Sequence, residues 1–241
     1  MYTRRIARPR ELRPRHSVEN QWDLLAPLGV AAPDRSAYPM EMPADPVMID
    51  AVGDRLRRAG VAADAALIVL HVSAGNPFRR WPAAHFVELI ASLATADPRR
   101  RVIVTSGPSE SDAAGRVIAE AQARLGPARA HQVLSCGEFS LAELRALFDR
   151  TALYIGGDSG PLHVAATTRV PIVGLYGPTL PIRSAPWRDQ ACITESVDAG
   201  ELPCRPCDQR VCEPGDFRCL TSITPAQVVE AAERALARAR T

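Results

Sequence analysis

Within six residues the chain sets a carboxylate, a hydroxyl, a glycine and an imidazole: Asp158-Ser159-Gly160-Pro161-Leu162-His163, preceded by Gly156-Gly157. These residue types at this spacing suit a phosphate. Glycines let the backbone come close to a ligand. Free N–H groups and the positive end of a helix dipole attract anions, and an imidazole one turn further on adds a donor. The plainer reading of the same residues is a tight strand-to-helix turn in which Asp158 or Ser159 caps the helix. Nothing in the sequence orients His163 as a general base, so its expected role is contact with a phosphate or a donor sugar.

Three more stretches carry groups of matching chemistry. Ser73-Ala74-Gly75-Asn76-Pro77-Phe78-Arg79-Arg80-Trp81-Pro82 offers a hydroxyl, backbone N–H groups and two guanidiniums, and a guanidinium pairs with phosphate bidentately. By itself the stretch equally describes a surface loop with solvated arginines. Gly107-Pro108-Ser109-Glu110 offers a carboxylate that can accept from ribose hydroxyls, or one favoured in a first helical turn by the dipole. Tyr176-Gly177-Pro178-Thr179 is either part of a base or sugar wall or a turn.

Four of the six cysteines crowd into one tail, as Cys204-x2-Cys207-x4-Cys212-x6-Cys219. Four thiolates can hold zinc tetrahedrally, but the paired Cys-x2-Cys spacing occurs only once, and a reduced structural cluster reads equally well. Such zinc would staple the tail rather than catalyse.

The elements that must position these groups follow from periodicity. Apolar runs at 66–72, 101–105, 131–134, 152–155 and 170–176 read as buried strands, with 191–194 as an edge strand. Helical patterns separate them, at about 82–93, 111–125, 140–150 and after His163; the final helix starts with Thr224 as its cap and Pro225 as its first residue. Strands alternating with helices predict an α/β fold, a Rossmann-like doubly wound parallel sheet. Every loop named above then falls at the carboxyl end of a strand, where ligands gather in such sheets. Ahead of this region the pattern is weaker. A helix with Ser17 as cap and Trp22, Leu24, Leu25 and Leu28 on one side is expected to end at Gly29, and the prolines at 33, 39, 43 and 46 suggest a linker. A helix follows to Ala59.

Composition excludes several classes. The net charge is +2, so bulk electrostatics give no reason to expect a nucleic-acid partner. All 29 basic residues are arginine, so any cationic phosphate contact falls to a planar fork rather than an ammonium. No run of 18 apolar residues exists, nor an apolar leader after Met1; the expected location is the cytoplasm.

Asp158-Ser159-Gly160-Pro161-Leu162-His163-Val164-Ala165-Ala166, then Pro171 and Leu175-Tyr176-Gly177-Pro178-Thr179, resembles the hallmark of glycosyltransferase family 9, the ADP-heptose:lipopolysaccharide heptosyltransferases. Arg79-Arg80-Trp81-Pro82 resembles the family's basic-residue-then-Trp-Pro segment, with Arg79 where lysine is usual. Cys204 to Cys219, leading into Ile223-Thr224-Pro225, resembles a cysteine-bearing tail of many members. The likeness runs from about residue 65 to the end. It implies a GT-B architecture, of which this chain carries the C-terminal, donor-binding half. It also implies inverting transfer without a required cofactor or metal, from an ADP-sugar donor to a lipopolysaccharide-core acceptor, and a place peripheral to the inner membrane. By motif position Ser73 and Arg79 would meet the donor's phosphates, together with Asp158, Ser159, Gly160 and His163, and Glu110 would hold the ribose. Residues 1–45 are then expected to be a remnant of the acceptor domain with its linker, and 46–241 the donor domain. The family's general base, an aspartate of the acceptor domain, is then expected to lie outside these residues. A separate acceptor-domain chain, or a nucleotide-sugar-binding fragment without transfer activity, are the consequences to weigh.

Overall fold

A computed structural model describes residues 5–7, 13–72, 77–207 and 211–240. Among them six strands form one parallel sheet in the order β3-β2-β1-β4-β5-β6. The strands are β1 (Ala66–His71), β2 (Arg100–Thr105), β3 (Val133–Leu134), β4 (Leu153–Gly157), β5 (Ile172–Tyr176) and β6 (Thr194–Asp198). The mainly apolar, buried composition of the central strands β1, β4 and β5 is what a sheet covered on both faces requires, while the edge strand β6 is polar. Alternation along β1 shows it: Ile68 and Leu70 point into one core and Leu67 and Val69 into the other.

The helices are α1 (Ser17–Trp22), α2 (Pro46–Arg58), α3 (Ala83–Ala96), α4 (Ser111–Leu125), α5 (Leu141–Phe148), α6 (Gly160–Ala166), α7 (Pro181–Ser184), α8 (Arg218–Thr221) and α9 (Pro225–Arg238). Residues of α3, α4 and α9 build the first core, with Phe86, Val117 and Val228 among them. Residues of α2, α5 and α6 build the second, with Leu56, Leu147 and Leu162. The Rossmann-like doubly wound sheet predicted from the strand and helix alternation is therefore present. Its order reverses between β1 and β4, which run side by side with His71 opposite Gly156.

Local signals held where a cap fixed them. Ser140 and Glu143 close a capping box on α5, Thr224 and Gln227 close one on α9, and α9 begins at Pro225. Other boundaries moved. The first helix stops at Trp22 and is capped by His16 with Glu19, not by Ser17; a separate 3-10 turn covers Ala26–Leu28. Leu24 and Leu28 are exposed, so no apolar stripe extends the helix that far. Pro82 is the residue before α3 rather than its first. The edge strand begins at Thr194, because Cys192 N–H donates to Asp189 C=O and closes a turn over the preceding residues.

The segment ahead of α2 is docked on the sheet domain. His16 is buried; its Nε2 lies 2.8 Å from the Ala185 carbonyl and its ring packs on Trp187 at 4.9 Å. Ser17 donates to the Arg183 carbonyl, and Trp187 Nε1 donates to the Tyr38 carbonyl.

Candidate functional site: the crevice between β1 and β4

The reversal of strand order leaves a crevice above the carboxyl ends of β1 and β4, the place where open α/β sheets bind ligands. The loop after β1 supplies Arg79 and Arg80, and the loop after β4 supplies Asp158 and Ser159. The two approach closely: a Cβ added at Gly157 would stand 3.8 Å from the Arg79 carbonyl. A Cβ at Gly160 would meet nothing within 4 Å, so the backbone at the start of α6 is open to an approaching group. Ser73 to Asn76 lie outside the described residues, and with them the expected phosphate contact of Ser73.

Asp158 and His163 form the centre of the loop. Asp158 Oδ1 stands 3.6 Å from His163 Nε2, with the carboxylate largely covered and the imidazole more open. Burial raises the Asp158 carboxyl, but the His163 and Thr179 side chains and the Arg79 charge more than offset it, holding the group below its ordinary value. Asp158 is therefore an anion at neutral pH. Arg79 is close enough to act on it, and among the described residues the Arg79 Nε is buried without a hydrogen-bond partner. A guanidinium in that condition is prepared for an incoming anion.

The capping alternative for this loop does not hold. Ser159 occupies the cap position of α6, yet its side chain makes no capping bond; its hydroxyl donates back to the Gly157 carbonyl at 3.2 Å. Asp158 turns to His163 instead. Glu110 is buried at the start of α4, where Arg80 grips its carboxylate. The expected ribose acceptor thus sits one loop away from Asp158, beside β2. Asp158 and His163 come together directly, and the Arg79 charge acts on Asp158 from the neighbouring loop; Glu110 is held by Arg80, the neighbour of Arg79.

Several residues that hold the site were not among those the sequence singled out for it. The Arg205 side chain is covered and donates to the Tyr176, Thr179 and Gly200 carbonyls and to Asp198 Oδ2 at 3.1 Å. It ties the loop after β5 to the end of β6. Trp81 is buried, with its Nε1 donating to the Ile223 carbonyl at 2.9 Å, which fixes the Arg79-Arg80 turn against the tail. His71, at the end of β1, is buried beside Thr105, 3.0 Å from its hydroxyl; burial lowers its pKa to about 4. Among these, only Trp81 stood in a motif.

Cys204, Cys207, Cys212 and Cys219 all line one cavity of about 430 Å³, together with Phe78, Pro178 and Phe217. The Cys219 thiol is pushed up by burial and by the three other sulfurs. Among the described residues no group of three or more Cys, His, Asp or Glu side chains is arranged to hold a metal ion.

An all-parallel sheet of Rossmann order, with Arg79 and a bare glycine-rich turn at its switch point, defines the class: a Rossmann-like α/β protein with its candidate site where strand order reverses. The chain belongs to glycosyltransferase family 9 (heptosyltransferase), whose model matches residues 1–213. It is 31% identical over 193 residues to lipopolysaccharide heptosyltransferase 3 of Escherichia coli, covering 80% of this chain and 53% of that one. Its fold matches the crystal structure of a family 9 glycosyltransferase from Veillonella parvula with a TM-score of 0.77, 23% identity, and coverage of 98% and 62%. It also matches an Escherichia coli heptosyltransferase solved with ADP, at a TM-score of 0.59, 20% identity, and coverage of 97% and 60%. The chain spans about half the length of the E. coli lipopolysaccharide heptosyltransferase.

Proposed function

We propose that this chain binds an ADP-activated sugar, an ADP-heptose, in the crevice between the β1 and β4 loops. Acting as the donor-binding half of a GT-B enzyme, it presents that sugar for inverting transfer to a lipopolysaccharide-core acceptor. The observation that carries the reading is the arrangement of Arg79, with its buried unpartnered Nε, opposite the uncapped turn Asp158-Ser159-Gly160 and beside His163. Relatives are lipopolysaccharide heptosyltransferases, and one structural neighbour was solved with ADP. In this reading Arg79, Ser73 and His163 meet the diphosphate with the Ser159 and Gly160 backbone. Glu110 accepts from the ribose, and Asp158 orients His163. No cofactor is required, and the cysteine cavity acts structurally; elemental analysis of the purified protein tests whether its thiolates carry zinc.

Residues 46–241 form the donor domain in this proposal, and the segment before them belongs to the acceptor side. No helix among the described residues is long and apolar enough to cross a membrane, and contact with the inner-membrane face is through the acceptor. The activating base belongs to the acceptor-binding half, supplied by another part of the protein or by a separate chain.

Calorimetric titration with ADP and with ADP-heptose tests the donor site; a chain that binds neither overturns it. A transfer assay with a core acceptor, with and without an acceptor-domain partner, then distinguishes an active transferase from a binding fragment.

A further inference from the structure

A cavity that the proposed chemistry leaves unused lies further along the same sheet edge. Its volume is about 800 Å³, within the range of small-molecule sites, and Leu180, Asp198, Glu201, Leu202 and Arg205 are among its walls. Leu180 ends the loop after β5, Asp198 ends β6, and the other three follow it in the chain.

Strand register fixes where this cavity stands relative to the donor turn. Gly157 pairs with Leu175, Leu175 with Val197, and Tyr176 with Asp198. Asp158 directly follows Gly157, so the backbones of Asp158, Tyr176 and Asp198 leave three neighbouring parallel strands at one level. Two strand spacings set Asp158 and Asp198 about 10 Å apart along the edge. The loop between them is tied to the cavity, because Arg205 donates both to the Tyr176 and Thr179 carbonyls and to Asp198 Oδ2.

The order of groups along the edge gives a bound donor a direction. Glu110 follows β2, Arg79 follows β1 and the Asp158 turn follows β4, and the strands stand in the order β2-β1-β4-β5-β6. A nucleotide sugar is built in line, as nucleoside, diphosphate and sugar. With the ribose at Glu110 and the diphosphate over the β1–β4 crevice, the sugar points toward β5 and β6. A sugar ring joined to a diphosphate there carries its outer hydroxyls across a span of the order that separates Asp158 from Asp198.

The cavity also has the chemistry of a sugar site. Leu180 and Leu202 offer apolar surface to the C–H face of a ring, and two carboxylates offer acceptors to its hydroxyls. Asp198 Oδ1 accepts from the Gly200 N–H at 2.8 Å and Oδ2 from Arg205 at 3.1 Å. Those bonds hold the carboxylate in place, yet each of its oxygens has room for a second hydrogen bond. The Asp198 side chain is 26% exposed, so a hydroxyl can reach it, while the Arg205 side chain beneath is 2% exposed. Glu201, three residues on, is exposed.

We infer that this cavity is the subsite for the transferred sugar of the donor. Asp198 and Glu201 accept from the sugar's hydroxyls, and Arg205 is the positioning residue that aims Asp198. The inference rests on the proposed donor reading and adds to it where the sugar lies. Recognition of the polyhydroxylated ring is thereby separated from recognition of the nucleotide.

Calorimetric titration with ADP and with ADP-heptose reads the two ends of the ligand separately. Glu201→Ala removes an exposed carboxylate; Asp198→Asn keeps an acceptor for Gly200 and loses the charge. Each variant is expected to bind ADP-heptose about fivefold to tenfold more weakly, the scale of one charge-assisted hydrogen bond, with ADP affinity within about twofold of wild type. Should Asp198→Asn fail to fold, Glu201→Ala decides alone. Equal losses for both ligands make the two carboxylates mere braces of the chain after β6 and overturn the subsite; so does the absence of any loss. In both cases wild type still binds ADP, and the donor reading stands. A wild-type chain that binds neither ligand overturns the donor reading and the subsite with it.

Discussion

Asp158 Oδ1 and His163 Nε2 lie 3.6 Å apart across the first turn of α6, the carboxylate covered and the imidazole half open. The pair converts a glycine-rich turn into an oriented one: the anion fixes which way the ring faces. If they act as a unit on the donor, their effects on ADP binding do not add. A double-mutant cycle with Asp158→Asn and His163→Gln is expected to show a coupling of about 1 kcal/mol, within the usual range for residues in contact. Calorimetry on the four proteins measures it, and strict additivity would separate the two residues' roles.

In the proposed donor site Arg79 provides the charge-assisted contact. Arg79→Ala is expected to weaken ADP binding at least about tenfold, from the roughly 1.5–3 kcal/mol that such a hydrogen bond contributes. Arg79→Lys keeps the charge and loses the fork, so it falls between wild type and alanine. Binding by all three is compared at low and high salt; the salt dependence should be smallest for Arg79→Ala.

His71 makes stability depend on pH. Its folded pKa, about 4, lies below the ordinary 6.5, and burial is the main cause. The unfolded chain therefore binds a proton that the folded one refuses. The stabilisation is complete above about pH 6.5 and is lost as pH falls from there toward 4. The shift sets an upper limit of about 3 kcal/mol for this effect. Urea unfolding of wild type and His71→Asn at pH 7.5 and pH 5 checks it: wild type should lose more stability between the two than the variant does.

Arg205 carries the loop after β5. Its buried guanidinium serves three carbonyls and Asp198. Arg205→Met removes the donors and leaves those acceptors covered, at an expected cost of about 3–5 kcal/mol, as for a broken buried ion pair. The urea midpoint reads the loss. Proteolysis near Thr179 should be enhanced if the loop is what comes free.

Much of the frame was legible beforehand because it rests on local rules. The strand cores from 66 to 176 are apolar runs of the right length, and α5 and α9 carry their own capping boxes, so their existence needed no tertiary information. Boundaries failed where the deciding contact was distant. The cap of α1 is His16, a residue held by the Ala185 carbonyl some 169 positions away, and no local pattern marks it. The membership of the chain in its family was legible for a related reason: the Asp158-to-Ala166 and Tyr176-to-Thr179 stretches are contiguous motifs.

The site divides the same way. The sequence determined the fold class, the strand order's general type, and which loops carry a carboxylate, a guanidinium, a hydroxyl and an imidazole, since periodicity places those loops at strand ends. Only the tertiary structure decided which of them meet. It brought the Arg79 loop beside the Asp158 loop and turned Ser159 away from capping. It gave Glu110 to Arg80 and gathered four cysteines around one cavity. Those pairings depend on the register of neighbouring strands, and register is settled by the packing of both faces of the sheet at once rather than by any stretch of chain.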